Sequence, residues 1–200
     1  MNMKQRYSDI DNKYIILICF LNAIIATLLS YKIIDLIIVL NNLDQKIKWA
    51  IVLLFLFISF LSSLLSPIIN GLLYVLLCRL LARKSIVSQK NIKLFKIYII
   101  STTPLILDSF IKIIIAFIKN KIVIGSATSF LSYFNFTSSN IILSVLSIFG
   151  LLPILSIFLL IYLIKKYKIT SYLKAKIKLV IIYMMILIVQ GIITYFALSL

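Results

Sequence analysis

The chain has 200 residues, 63% of them hydrophobic, and sets 21 Lys and Arg against five Asp, with no Glu and no His, for a net charge of +16. A mean hydropathy of +1.17 suits lipid rather than a water-facing shell, which excludes an ordinary soluble domain. The missing His and Glu exclude zinc-peptidase helices, Ser-His catalysis and paired-glutamate intramembrane proteolysis, and four singly scattered glycines (Gly71, Gly125, Gly150, Gly191) leave no phosphate-cradling loop.

Stretches without charge are long. Ala50–Cys78 is 29 residues and Leu179–Leu200 is 22, against the about 20 apolar residues of helix that cross a 30 Å bilayer core. The expected fold is all-α: one domain over residues 1–200, a polytopic transmembrane helix bundle of about five spans. Four spans with one re-entrant stretch is the alternative.

The first span is expected at 14–31. Lys4, Arg6 and Lys13 precede it as they precede a signal peptide, but no small-x-small cleavage site follows at Leu28–Lys32, so it reads as an uncleaved helix. Residues 33–48 are amphipathic, with Ile33, Ile34, Leu36, Ile37, Ile38 and Leu40 beside Lys32, Asp35 and Asp44. They extend the first helix or lie in the interface. Trp49 then marks a headgroup level at the start of a second span, 50–81, longer than a bilayer requires; tilt, or a bend at Pro67, absorbs the excess. Ser59, Ser62, Ser63, Ser66 and Asn70 recur on it at three- and four-residue steps and read as a helix-packing face, with Asn70 also a candidate intramembrane polar residue.

The third span, 94–118, carries Asp108, the one carboxylate placed well inside a span, where a charge is expensive. Lys112 follows one turn later on the same face, the spacing of an ion pair, and the expectation is a paired Asp facing the bundle interior. Pro104 lies four residues before Asp108, after Ser101, Thr102 and Thr103, so a kink is expected there with the freed carbonyl met by a hydroxyl. Residues 119–140, rich in Ser, Thr, Asn and Phe, form a loop or a segment dipping back into lipid. The fourth span, 141–164, shows Ser144, Ser147 and Gly150 as a second packing stripe, and Gln190, Gly191 and Thr194 suggest a third on the fifth span, 175–200. Cys19 and Cys78 fall inside spans and read as buried small hydrophobes rather than a disulfide or metal pair.

With the N-terminus cytoplasmic and the C-terminus outside, the inner segments 1–13, 79–96 and 165–178 hold 15 of the 21 basic residues, as positive-inside insertion produces. The two larger clusters are read as basic loops: Arg79, Arg83, Lys84, Lys90, Lys93 and Lys96 in one, Lys165, Lys166, Lys168, Lys174, Lys176 and Lys178 in the other. Neither carries a nucleic-acid recognition motif. They suit anionic lipid headgroups, where each cation near the surface contributes about 1 kcal/mol. The abundance of Ile, Lys and Asn suits an AT-rich genome, hence the cell membrane of a low-GC bacterium.

The order of features resembles the bacterial branch of the Yip1 family. A long second span ends in a basic stretch, Tyr98, Ser101, Pro104 and Leu105 open the third span, a polar outer loop follows, and Lys165–Lys168 leads to Lys174–Lys176 at the start of the fifth. The resemblance covers about residues 50–200. The Asp-Leu-Tyr-Gly-Pro-like motif of eukaryotic members and the proline-containing N-terminal entry are absent, so their GTPase and vesicle roles do not carry over. The resemblance implies a membrane adaptor or accessory protein with no catalytic residues. The expectation is thus a non-enzymatic membrane protein with no cofactor or metal, packing with another membrane protein or with itself. Two alternatives remain open: an immunity or export accessory protein for a membrane-active peptide, and a small transporter or channel component using Asp108.

Overall fold

The computed structural model describes residues 12–36, 45–81, 91–120, 123, 126–129, 147, 149–170 and 172–199. Among these residues the chain is all-helical, without a strand: α1 (Asn12–Leu36), α2 (Gln45–Leu81), α3 (Asn91–Ser101), α4 (Thr103–Lys119), α5 (Leu151–Lys166) and α6 (Leu173–Ser199). Among the described residues, four stretches are long and apolar enough to cross a membrane: Asn12–Ile34, Gln45–Leu81, Asn91–Lys119 (α3 and α4 together) and Leu173–Ile193.

Helices α1, α2 and α6 each run past an end of their charge-free stretches. Helix α1 passes Lys32 and reaches Leu36, taking up the start of the amphipathic stretch, while residues 37–44 lie outside the described residues. Helix α2 begins at Gln45, ahead of the expected residue 50, and its 37 residues extend about 55 Å. Long Lys side chains are good helix formers and stay solvated at a helix end, so a cation does not end a helix as it ends an apolar run. The expected fourth span differs more. Gly150 is extended (φ −101°, ψ −175°) and caps α5, so the helix starts at Leu151 rather than near residue 141. Residues 141–146 and 148 lie outside the described residues.

Helices α1 and α2 pair antiparallel. Ser30 and Ser59 share a hydroxyl hydrogen bond of 2.7 Å, the Asn22 amide donates to the Ser63 carbonyl at 2.8 Å, and Phe20 meets Phe60 edge-on. The serine stripe on α2 therefore splits: Ser59 and Ser63 face α1, while Ser62 is exposed and donates to the carbonyl of Ser59 on its own helix. Gly71 lets α3 approach, because a Cβ there would stand 2.8 Å from the Phe95 ring. Cys19 and Cys78 are buried and free.

Helix α3 lies at the centre. Its Leu94, Ile97, Tyr98 and Ile99 are fully buried against Tyr74 and Cys78 of α2, Leu160 and Ile164 of α5, and Leu179, Ile182 and Tyr183 of α6. The chain breaks after Ser101, because Pro104 has no N–H for the carbonyl of Ile100. The hydroxyl of Thr103 donates to that carbonyl at 2.7 Å, and Ser101 and Thr102 donate to those of Tyr98 and Ile99 at 2.6 Å each. The Thr103 hydroxyl so replaces the donor that Pro104 lacks, the other two serve the preceding carbonyls, and α4 restarts with Pro104 in its first turn, where proline is tolerated.

Candidate functional site: the Asp108 latch

Helix α4 presents Asp108 and Lys112 on one face, their charges 3.4 Å apart. Asp108 is 4% exposed. Opposite it lies the turn 126–129, which folds into the bundle; Ser126, Ala127 and Ser129 are buried. This described part of the 119–140 segment is thus an internal turn packed against α4.

The carboxylate gathers donors from that turn. One oxygen accepts the Ser126 hydroxyl at 2.6 Å and, at 3.3 Å each, the Thr128 N–H and hydroxyl. The other accepts the Ala127 N–H at 3.2 Å and faces Lys112. Ser126 has one proton, and its 2.6 Å bond assigns that proton to the carboxylate. The Thr128 hydroxyl, 2.9 Å from Ser126, therefore receives no proton from it. Thr128 accepts instead from the N–H of Leu152 at 3.1 Å. That N–H belongs to the first turn of α5, whose capping residue Gly150 supplies no side chain. A hydroxyl 24 residues away caps the helix, and the same hydroxyl touches the carboxylate, so a negative charge is relayed toward the positive end of the α5 dipole.

Gly150 allows the close approach. A Cβ on it would collide with the hydroxyls of Ser126 and Thr128 and stand 2.8 Å from the backbone nitrogen of Ser129. Ser126 also donates its N–H to the carbonyl of Ser147 at 2.9 Å. Ser147, which is helical, and the extended Gly150 both meet this turn, and Ser144 lies outside the described residues.

The other candidate residues fall elsewhere. Pro104 is buried at the start of α4, one turn before Asp108. Asn70 does not join the carboxylate; its amide donates to the Ser66 hydroxyl on its own helix at 3.1 Å. The clusters read as loops are largely helix ends. Arg79 sits in the last turn of α2, Lys93 and Lys96 on α3, Lys165 and Lys166 in the last turn of α5, and Lys174, Lys176 and Lys178 at the start of α6. Lys168 alone of the second cluster lies in the connecting turn, and Arg83, Lys84 and Lys90 lie outside the described residues.

A second polar cluster had no sequence signal beyond three tyrosines within apolar runs. Tyr74, Tyr98 and Tyr183 are all but fully buried, with ring centroids 5.1, 5.5 and 6.3 Å apart. The Tyr74 hydroxyl donates to the Leu179 carbonyl at 3.3 Å and that of Tyr183 to the Ser101 carbonyl at 3.4 Å, while Tyr98 hydrogen-bonds Gln190. The cluster joins α2, α3 and α6.

Chemically, Asp108 is occupied by four hydrogen bonds and an ion pair from its own chain, an arrangement that holds a charge in place rather than passing it on. Among the described residues no three His, Cys, Asp or Glu side chains converge as metal ligands do. No family model, no curated protein and no solved structure matches this chain.

Proposed function

We propose that the chain is a non-enzymatic, multi-pass protein of a bacterial cell membrane, a Yip1-like adaptor or accessory subunit. It crosses the bilayer five times, N-terminus inside and C-terminus outside, and packs with another membrane protein or with a second copy of itself. The observation that carries this reading is the saturation of Asp108. A carboxylate inside an apolar bundle marks a solute or proton path when its oxygens face a cavity or further ionisable groups, and here they face Ser126, Ala127, Thr128 and Lys112.

The arrangement of charge supports the topology. The C-terminal ends of α2 and α5 and the N-terminal end of α6 carry Arg79, Lys165, Lys166, Lys174, Lys176 and Lys178, and the ammonium of Lys178 donates to the Leu81 carbonyl at 3.2 Å. That bond brings the α2 and α6 ends to the same side, as alternating spans require. The basic side then meets the anionic inner leaflet.

Gentle solubilisation of the protein from its own cells tests the reading: it should emerge with a stoichiometric membrane partner or as an oligomer, whereas recovery as a lone monomer in every mild detergent argues against it. Single cysteines at positions 88 and 171 should be shielded from an impermeant reagent added outside. Labelling of either overturns the topology.

A further inference from the structure

We infer that the α5–α6 hairpin is a preformed platform for the headgroups of anionic phospholipid; this deepens the lipid contact proposed above and rests on it. The hairpin is a built structure. Helix α5 ends with the N–H of Ile169 donating to the Ile164 carbonyl and that of Lys168 to the Lys165 carbonyl, both at 3.2 Å, with Lys168 left-handed at φ 48°. This is the paired 6→1 and 5→2 bonding of a Schellman stop, adopted by a lysine where glycine is usual. The Ile169 side chain is buried at 1% exposure and plugs the turn into the core. The Thr170 hydroxyl then accepts the N–H of Tyr172 at 3.2 Å, and the Tyr172 carbonyl accepts the N–H groups of Ala175 and Lys176 at 3.1 Å, starting α6.

The cations that open α6 are placed against its dipole, while Lys165 and Lys166 end α5 where its dipole favours them. Helix α6 begins with Lys174, Lys176 and Lys178 and has no acidic residue in its first turn. Positive side chains at the positive end of a helix are unfavourable, and an external anion relieves them. Lys178 is engaged with Leu81, whereas Lys174 is exposed, as are Lys165 and Lys166 at the end of the preceding helix. Among these lysines stand large apolar side chains turned outward: Tyr162, Tyr172, Leu173 and Ile177 are 56%, 68%, 70% and 50% exposed. At the end of two apolar helices this mixture matches the headgroup boundary, where rings and Leu enter the acyl region while ammonium groups reach phosphate.

The test is retention of lipid by the full-length protein in mild detergent, read by native mass spectrometry after exposure to phosphatidylglycerol or phosphatidylcholine. The wild-type chain should keep phosphatidylglycerol preferentially, and K165Q/K166Q/K174Q should lower that retention by about tenfold or more. The equal charge change K46Q/K48Q/K119Q, at the N-terminus of α2 and the C-terminus of α4, should leave it unchanged. Y172S/L173S keeps every lysine and should lower retention a few-fold. Equal losses from the two lysine triples mean bulk charge alone and overturn the inference, as does a hairpin triple that binds like wild type. So does a hairpin triple that keeps its lipid but loses an acidic protein captured from cells. No partner protein enters the lipid assay, so failure of the adaptor reading leaves its outcome standing.

Discussion

The tyrosine cluster and the Asp108 latch are both polar groups enclosed by apolar helices, and they are satisfied in opposite ways. Tyr74, Tyr98 and Tyr183 bring neutral hydroxyls on large rings; the rings pack on one another, and the bonds from Tyr74 to the Leu179 carbonyl and from Tyr183 to the Ser101 carbonyl are long, at 3.3 and 3.4 Å. Asp108 brings a full charge on a small side chain, and the chain surrounds it with a 2.6 Å hydroxyl bond, two backbone N–H groups, a second hydroxyl and an ammonium. A neutral hydroxyl out of water costs a few kcal/mol at most, whereas an uncompensated charge costs far more. The latch has to be complete, and completing it recruits a distant turn and a helix end; Tyr74 and Tyr183 each meet one carbonyl on a helix their rings already pack against.

Substitutions sharpen the contrast. Asp108→Ala should have the largest effect, about 3–5 kcal/mol, because it leaves Lys112 without its counter-charge and releases the 126–129 turn. Thermal unfolding of the detergent-solubilised protein, with membrane abundance alongside, measures it; adding Lys112→Met should recover part of the loss. An unaffected Asp108→Ala protein would break the comparison outright. Ser126→Ala removes the shortest bond to the carboxylate and should cost about 1.5–3 kcal/mol on the same assay. Gly150→Ala pushes a methyl against Ser126, Thr128 and the Ser129 backbone, for a loss of about 1–3 kcal/mol. Tyr183→Phe should lose least, about 0.5–1.5 kcal/mol, since the ring contacts with Tyr74 and Tyr98 persist. A Tyr183→Phe loss larger than that of Ser126→Ala would reverse the ranking of charge over ring packing.

Some of this was legible in the residues. The Asp108–Lys112 spacing of four places both groups on one helical face, and the pair stands at 3.4 Å. Ser101, Thr102, Thr103 and Pro104 together signalled a broken turn with hydroxyl replacement, because a proline always orphans the carbonyl four residues back. Both are short-range inferences, made within two helical turns. The packing stripes were legible in part: Ser59 and Ser63 do meet α1, but three- and four-residue steps say only that residues share a face, not which face finds a neighbour. Asn70, an apparent intramembrane polar site, instead satisfies itself on Ser66 four residues back. Ser147 is helical, but Gly150 does not continue the stripe; its extended backbone leaves no mark in hydrophobic periodicity.

What the amino-acid sequence determined alone is the class of the molecule: apolar helices of bilayer-crossing length, with cations gathered at their ends, because apolar length and charge position are properties of the chain before it folds. What only the tertiary structure decided is which polar groups answer one another. Ser126 and Thr128 lie 18 and 20 residues from Asp108, Leu152 lies 24 from Thr128, and the hydroxyl of Tyr74 finds a carbonyl 105 residues away. Such partners share no period and no spacing, since they are chosen by the crossing of helices whose buried faces must leave no hydrogen-bonding group alone.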